Sequence, residues 1–200
     1  MRIVLDAMGT DDAPRIEVTG AIEALREYES DVELILVGDR EVIDAELARH
    51  EVVPNRISVH HAPDRVQADD SPASVIRTKP NSSIVVGLEL QRKRDADAFV
   101  SAGSTGAVMA TSLFKLRPLP GVDRPAIGTL LPTAEEQCLL VDAGANIDCK
   151  PQHLVQFAHL GNIYAREIMG RPKPRIALLN IGKEPGKGDE LSAAAYEVLK

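Results

Sequence analysis

The stretch ADAFVSAGSTGAVMATSLF, residues 96–114, combines an apolar run, a run of small residues and a second apolar run. We predict a strand over Ala98 to Ser101, a tight turn, and a helix that begins within the small residues. The small run SAGSTGA, residues 101–107, offers main-chain N–H groups and hydroxyls but almost no side-chain bulk. This strand–turn–helix order is typical of a parallel α/β unit.

The same small residues predict an anion site. The first N–H groups of a helix lack intrahelical acceptors, and the helix dipole favours negative charge there. Gly103 and Gly106 would let a phosphate approach the main chain, and the hydroxyls of Ser104 and Thr105 would assist. A second interpretation stays open, in which the small residues only allow the helix to pack closely against the sheet.

Short β-branched runs alternate with stretches of helical period along the chain, which indicates repeated βαβ units around a parallel sheet. The candidate strands are Arg2 to Leu5, Val32 to Val37, Arg56 to His60, Ala98 to Ser101, Ile127 to Leu131, Cys138 to Asp142 and Arg175 to Ile181. Only PTAEEQ separates the fifth and sixth of these strands, so we predict a hairpin there and a mixed sheet.

Four segments have a helical pattern, and the first three of them carry recognisable start or stop signals. The first runs from Pro14 to Tyr28 with Asp12 as its expected cap, and the second begins at Ser71–Pro72. A later helix begins at Lys150–Pro151 and ends near Gly170, and Asp189 to Lys200 has a helical pattern.

Composition limits the class of protein. The chain has 200 residues, 44% of them hydrophobic, which favours a single α/β domain over residues 1–200. The formal net charge of −7 and the absence of Trp argue against a nucleic-acid partner. The two cysteines form no CxxC pair, and no signal peptide or membrane span is evident, so we expect a cytoplasmic protein.

Polar, glycine-bearing loops follow four of the predicted strands, and ligands of open parallel sheets bind beyond the carboxyl ends of the strands. These loops are DAMGTDDAP from Asp6, SAGSTGA from Ser101, DAGANIDCKP from Asp142 and NIGKEPGKGDE from Asn180. No GxxxxGK[ST] motif and no GxGxxG after a strand occur, so neither a P-loop nor a dinucleotide fingerprint is present.

The loop after Asp142 combines an amide, a carboxylate and an ammonium in Asn146, Asp148 and Lys150. Lys150 could neutralise phosphate, and Asn146 could donate to a developing oxyanion. The alternative is helix capping by Asp148 or Cys149. A nucleophilic role for Cys149 is disfavoured because a thiol on a loop is more often inert than reactive.

Two further loops have competing interpretations. Lys183 and Lys187 stand among three glycines, either as cations that close over a bound anion or as solvated surface lysines. Asp6, Asp11 and Asp12 could hold Mg²⁺, but turn and capping hydrogen bonds explain them more simply.

The chain resembles a known family in several motifs that occur in register. LDAMGTDDAP, ILVGD, VSAGSTGAVMA, DRPAIGTLLPT, DAGANIDCKPQHLVQFA and LNIGKEPGKGDEL are similar to the bacterial phosphate acyltransferases, the PlsX family. The resemblance runs from Met1 to Lys200 and corresponds to the amino-terminal part of the family's chain.

This resemblance implies an α/β/α sandwich related to phosphotransacetylases and to the isocitrate-dehydrogenase fold. It implies that inorganic phosphate attacks the thioester of a long-chain acyl group on acyl carrier protein, which yields acyl phosphate for phospholipid synthesis. It also implies a homodimer, no metal or organic cofactor, loose attachment to the inner face of the membrane, and a downstream glycerol-phosphate acyltransferase as partner.

The expected site residues follow from these motifs and loops. Catalytic roles are expected for Asn146, Lys150 and Lys187, and binding of the phosphate and the acyl thioester for Asp6, Gly9, Ser101, Gly103, Ser104, Thr105, Gly106, Asp148 and Gly186. The chain departs from the family in two motifs. The family reads GGDNAP where this chain has GTDDAP, residues 9–14, and SAGNTGA where it has SAGSTGA, residues 101–107. The differing residues are Thr10, Asp12 and Ser104, so a side-chain amide is missing at residue 104.

Three other functions remain open. A short-chain phosphotransacetylase would use coenzyme A in place of the carrier protein. A dehydrogenase of the related fold would need a nicotinamide site, for which no motif is found. A non-catalytic module would bind only phosphate or carrier protein.

Overall fold

The computed structural model describes residues 1–28, 31–134, 136–182, 184 and 187–200. It forms two compact units, residues 1–117 and residues 118–200. The prediction of one α/β domain over residues 1–200 stays a prediction, and each unit is described separately.

Unit 1 is built on a parallel sheet with the strand order β3-β2-β1-β4. Its elements are β1 (Arg2–Asp6), α1 (Arg15–Glu27), β2 (Glu33–Gly38), α2 (Arg40–Leu47), β3 (Ile57–His61), α3 (Val75–Thr78), α4 (Ser83–Arg92), β4 (Ala98–Val100) and α5 (Thr105–Lys115). β1 lies between β2 and β4, so the order of the strands reverses beside it. The loops that follow β1 and β4 are therefore neighbours.

Helices cover both faces of this sheet, which confirms the predicted α/β class and the layered arrangement within this unit. On one face Leu34 and Leu36 pack against the α1 residues Val18, Ile22 and Leu25. On the other face Val4 and Val37 pack with residues of α4. Alternate residues of one strand point to opposite faces, so an apolar run such as RIVLD supplies both cores.

The first helix differs from the sequence prediction at its start. The stripe of Val18, Ala21, Ile22 and Leu25 is buried as expected. Asp12 does not cap α1, because Pro14 takes the N-cap position and the Asp12 carboxylate instead accepts from the Arg15 guanidinium at 3.2 Å. The helix predicted from Ser71–Pro72 begins only at Val75, since the Ser74 N–H first closes a turn onto the Ser71 carbonyl.

Unit 2 contains β5 (Gly128–Pro132), β6 (Gln137–Val141), α6 (Pro151–Glu167) and α7 (Glu190–Leu199). The predicted hairpin is confirmed, since β5 and β6 pair antiparallel. The predicted mixed sheet is wrong, because these two strands form a sheet of their own. The starts of α6 and α7 agree with prediction, and Gly170, with a φ of +68°, follows the end of α6.

The candidate strand from Arg175 to Ile181 is not a strand in this structure. Its apolar side chains are open to solvent, with Leu179 80% and Ile181 86% exposed. A β-branched run becomes a strand only when another strand supplies hydrogen-bond partners. Within the described ranges no strand pairs with this segment.

A charge cluster joins α4 to α5 in unit 1 and gives a prediction. The Glu89 carboxylate accepts from the Arg92 guanidinium at 2.5 Å and from the Lys115 ammonium at 3.2 Å. The hydrogen bond from Arg92, followed by the contact with Lys115, lowers the pKa of Glu89 from 4.5 to about 2. A depressed pKa means that the stabilisation is present above pH 4.5 and is lost as the pH falls toward 2.

We therefore expect Glu89→Gln to lower the urea midpoint at pH 7 and to have a much smaller effect near pH 2. The measurement is urea unfolding of wild type and variant across this pH range. Glu23→Gln is the control, because Glu23 is exposed on α1 and makes no ion pair within the described residues. A difference that does not depend on pH would contradict the assignment.

Candidate functional site

The loops after β1 and β4 meet at the carboxyl edge of the sheet in unit 1. Asp6, the last residue of β1, is 1% exposed, and its Oδ2 accepts from the Ser101 hydroxyl at 2.6 Å. Its Oδ1 accepts from the Met8 N–H at 3.0 Å. The Ser101 Oγ in turn accepts from the Gly103 N–H at 3.0 Å. This chain of hydrogen bonds fixes the two loops to each other.

Two glycines allow this close approach. A Cβ atom on Gly9 would lie 2.8 Å from the Gly103 nitrogen and 3.2 Å from the Ala102 carbonyl carbon. A Cβ atom on Gly103 would lie 3.2 Å from the Gly9 Cα. The main chains of the two loops are therefore in contact, and a side chain at either position would push them apart.

The first turn of α5 directly follows Gly103 and contains unpaired main-chain N–H groups. Ser104 is the N-cap, and its Oγ accepts from the Ala107 N–H at 3.3 Å. The N–H groups of Thr105 and Gly106 have no acceptor among the described residues. Two unpaired amides at the positive end of a helix, beside a glycine-lined edge, suit a phosphate oxygen. We call Asp6–Gly9 together with Ser101–Gly106 the cradle.

The position of the cradle agrees with the general rule for open α/β sheets. Ligands bind where the strand order reverses, just beyond the carboxyl ends of the strands. In unit 1 that point lies between β1 and β4. Seven of the predicted binding residues thus lie in one place: Asp6, Gly9, Ser101, Gly103, Ser104, Thr105 and Gly106.

Ser101→Ala should weaken unit 1 because it leaves the buried Asp6 Oδ2 and the Gly103 N–H without their partner. We expect a loss of about 1–3 kcal/mol in the free energy of unfolding, the usual effect of an unsatisfied buried polar group. Urea denaturation measures it. Ser112→Ala on α5, where the side chain makes no hydrogen bond within the described residues, is expected to change stability by less than about 0.5 kcal/mol. Equal effects of the two changes would exclude the role given to Ser101.

The second group of predicted residues lies in unit 2, on the loop between β6 and α6. Asp142 ends β6 with a φ of +66°, a conformation that non-glycine residues rarely adopt and that occurs preferentially at functional sites. Its Oδ1 accepts from the Asn146 side-chain amide at 2.8 Å. The same amide nitrogen donates its second hydrogen to the Pro125 carbonyl at 3.0 Å. Both N–H bonds of Asn146 therefore hold the loop in this structure.

Lys150 occupies the N-cap position of α6 and is exposed. Its N–H donates to His153 Nδ1 at 3.0 Å, and the His153 N–H donates back to the Lys150 carbonyl at 2.9 Å. The Lys150 ammonium forms no ion pair with any described residue. The capping role proposed for Asp148 or Cys149 is therefore wrong, since the main chain at Lys150 and the His153 ring fill it.

The neighbours of Lys150 have other contacts. The Asp148 carbonyl accepts from the Arg124 guanidinium at 3.0 Å, and the Asp148 side chain is exposed. The Cys149 thiol lies 3.8 Å from Asp142 Oδ2. Burial, followed by the negative charge of Asp142, raises the pKa of Cys149, which makes it a poor nucleophile.

The last predicted loop precedes α7. The Lys187 carbonyl accepts from the Asn180 side-chain amide at 2.8 Å, and Lys187 is exposed. Within the described part of the chain, Lys187 makes no hydrogen bond or ion pair with Asn146 or Lys150. Gly186 and Lys183 lie outside the described residues.

Two side chains near the predicted site residues, those of His153 and Arg65, were not predicted from the sequence. His153 follows Lys150 by three residues, which is the capping-box spacing and was therefore a usable signal. Arg65, which donates to the Thr10 carbonyl beside Gly9, lies in a segment without strand or helix period and gave none.

The described ranges contain no group of three His, Cys, Asp or Glu side chains suited to a metal ion. The Asp6 carboxylate is instead used in turn and loop hydrogen bonds. No helix in the described part of the chain has the length and apolarity needed to cross a bilayer.

Two solved structures share the fold of this chain. A phosphotransacetylase from Staphylococcus aureus, EutD, superposes with a TM-score of 0.65 over 99% of this chain and 63% of its own, at 21% identity. A phosphotransacetylase from Streptococcus pyogenes gives a TM-score of 0.58 over 79% of this chain and 51% of its own, at 19% identity. The chain therefore has a phosphotransacetylase-like α/β fold.

The family is shown by sequence. The family model described as "Fatty acid synthesis protein" matches residues 1–200, and the chain belongs to that family. A relative from Desulforamulus reducens named phosphate acyltransferase is 52% identical over 100% of this chain, and one of the same name from Salinibacter ruber is 46% identical. The chain spans 59% of the length of these two curated relatives.

Proposed function

We propose that this chain is part of a phosphate acyltransferase that converts long-chain acyl-[acyl-carrier-protein] and inorganic phosphate into acyl phosphate and free carrier protein, for phospholipid biosynthesis. The observation that carries the proposal is the cradle, where two unpaired amides lie at a glycine-lined edge of the sheet. The names of the relatives support acyl transfer to phosphate.

The chemistry needs positioning more than a covalent nucleophile. A phosphate oxygen attacks the thioester carbonyl carbon, a tetrahedral oxyanion forms, and the carbon–sulfur bond then breaks so that the carrier thiolate leaves. Binding both reactants together removes most of the entropic barrier, and donors aimed at the oxyanion lower the rest. The carrier thiol itself is a fair leaving group.

The cradle of unit 1 is assigned to phosphate, and the resemblance to the family implies catalytic roles for Asn146, Lys150 and Lys187 of unit 2. The Thr105 and Gly106 amides would hold the phosphate, with the Ser104 and Thr105 hydroxyls as further donors. Lys150 would supply positive charge, and Lys187 would close on the bound anion. Asn146 would contact the oxyanion after giving up one of its two loop hydrogen bonds.

The test is phosphate-dependent release of thiol from palmitoyl-acyl-carrier-protein by the full chain. We expect release only when phosphate is present, together with an acyl phosphate that hydroxylamine converts to a hydroxamate. Release that is independent of phosphate would indicate a thioesterase and would overturn the proposal.

The second candidate is a short-chain phosphotransacetylase that uses acyl-coenzyme A, favoured by the fold of the two structural neighbours. A comparison of palmitoyl-carrier with acetyl-coenzyme A as substrates separates the two. A third candidate is a module that binds phosphate or carrier protein without turnover, which calorimetric binding in the absence of thiol release would identify.

The remaining proposals follow from the resemblance to the family. They are a homodimer, loose attachment to the inner face of the plasma membrane from the cytoplasm, and transfer of the product to a glycerol-phosphate acyltransferase. Light scattering measures the oligomeric state, and co-sedimentation with anionic vesicles measures membrane attachment.

A further inference from the structure

The segment of residues 65–79, between β3 and α4, lies against the cradle, and we call it the strap. Its ends are drawn together next to α4, because the Asp64 N–H donates to the Asn81 carbonyl and the Ser83 N–H donates to the Asp64 carbonyl, both at 3.3 Å. Apart from the short α3 it has no regular structure. A loop of this kind needs contacts of its own to keep one conformation.

The strap contacts Gly106 of the cradle and Thr10, the residue that follows the other half of the cradle. At its start, the Arg65 guanidinium donates to the Thr10 carbonyl at 2.5 Å, next to Gly9. Further along, Pro72 packs on Gly106, whose Cβ, if present, would lie 2.9 Å from the proline Cγ. Val75, which is fully buried, shares a hydrophobic cluster with Ala107 in the first turn of α5.

The Lys79 ammonium group links the end of the strap to its start and to its middle. Lys79 Nζ donates to the Arg65 carbonyl at 2.9 Å and to Asp70 Oδ2 at 2.5 Å. The two side chains of this pair are only 25% and 20% exposed, so solvent screens the pair less than it screens a surface ion pair. The hydrogen bond from Lys79, followed by that from the Gln67 N–H, lowers the pKa of Asp70, which keeps the carboxylate charged.

We propose that Lys79 is a positioning residue that locks the strap across the cradle, so that the amides of Thr105 and Gly106 are preorganised for phosphate. The lock acts through Arg65, which fixes the loop after β1, and through Asp70, which precedes the contact of Pro72 with Gly106. The inference rests on the proposed function of the cradle as the phosphate site. A preorganised site binds more tightly because less ordering remains to be done when the ligand arrives.

Lys79→Met in the full chain tests the proposal. We expect the KM for phosphate to rise about tenfold, as for loss of a hydrogen bond to a charged group, while the KM for the acyl substrate and kcat change less than about twofold. Lys79→Arg keeps the donors and should restore most of the phosphate affinity. Lys93→Met, at an exposed lysine on the α4–β4 turn, is the matched control and should change neither KM.

Asp70→Asn provides an independent test of the contact between Lys79 and Asp70. If the two residues act as one lock, the double variant Asp70→Asn/Lys79→Met should raise the KM for phosphate no further than Lys79→Met alone. Additive increases would contradict a shared lock. If Lys79→Met lowers kcat, the affinity for both substrates and the melting temperature together, Lys79 has only a structural role. That result would overturn the proposal.

A readout without turnover separates this inference from the proposed function. Hydrogen exchange at the hydrogen-bonded amides of Gly103 and Ala107, on either side of the unpaired amides, should be faster in Lys79→Met than in wild type or Lys93→Met. Faster exchange without any wild-type thiol release would reject the acyltransferase and keep the lock. Unchanged exchange with wild-type activity intact would reject the lock alone.

Discussion

Gly9→Ala is expected to lower phosphate-dependent turnover by about 100-fold, the effect of displacing reacting groups by about 1 Å. The new methyl group would lie 2.8 Å from the Gly103 nitrogen and 3.2 Å from the Ala102 carbonyl carbon. Both obstacles are main-chain atoms, so they cannot rotate away as a side chain can. The loop before α5 must shift, and the Thr105 and Gly106 amides would shift with it.

Steady-state kinetics at varied phosphate measures this effect. The control is Gly20→Ala on the exposed face of α1, where a Cβ atom would meet nothing within 4 Å. A helical glycine replaced by alanine should stabilise the protein by about 0.5–1 kcal/mol and leave turnover unchanged. If Gly9→Ala keeps wild-type turnover, the close approach of the two loops has no part in catalysis.

Lys150→Ala is expected to reduce kcat by about 100-fold, the usual result of removing one preorganised electrostatic group from a developing negative charge. Because the Lys150 ammonium forms no ion pair with the described residues, the free energy of unfolding should change by less than about 0.5 kcal/mol. Loss of turnover without loss of stability is the signature of a group that acts on the substrate.

Thiol-release kinetics and urea unfolding of the same preparations test both parts. Lys150→Arg keeps the charge but changes its shape and reach, so partial activity is expected. Lys173→Ala removes another exposed lysine of unit 2 and should be neutral. Turnover of Lys150→Ala within twofold of wild type would remove Lys150 from the site.

Most of unit 1 could be predicted because each of its four strands pairs with another strand of the same unit. The runs RIVLD and ELILVG are apolar on both faces, and helices on either side bury them as the pattern indicates. The segment from Arg175 to Ile181 has the same local pattern and is not a strand. Local propensity cannot show whether a partner strand is present, and pairing decides the outcome.

The site could be predicted in part for a related reason. The cradle depends on glycines and on the strand order, which the sequence pattern indicates well. Whether a polar side chain is free depends on contacts between distant residues, which spacing does not reveal. Asn146 has the expected position, but Pro125 and Asp142 already take both of its N–H bonds. The strap escaped prediction because single contacts, such as that of Lys79 with Asp70, hold it rather than a repeating pattern.

Residue 104 shows how geometry can explain a departure from the family pattern. The family resemblance implies Asn at this position, where the Ser104 Oγ of this chain accepts from the Ala107 N–H at the start of α5. Asn and Ser are almost equally good N-caps. The exchange therefore preserves the start of the helix, and the main-chain amides keep their direction.

The hydrogen bond between Ser101 and Asp6 joins residues 95 positions apart in the chain. During synthesis, β1 can pair with β2 early, but the two loops of the cradle can meet only after the fourth strand and Ser101 have left the ribosome. Contacts of such long range form late, because the intervening chain has to be ordered first. Phosphate would bind only after the cradle has formed. It should therefore stabilise the nascent protein only late in synthesis.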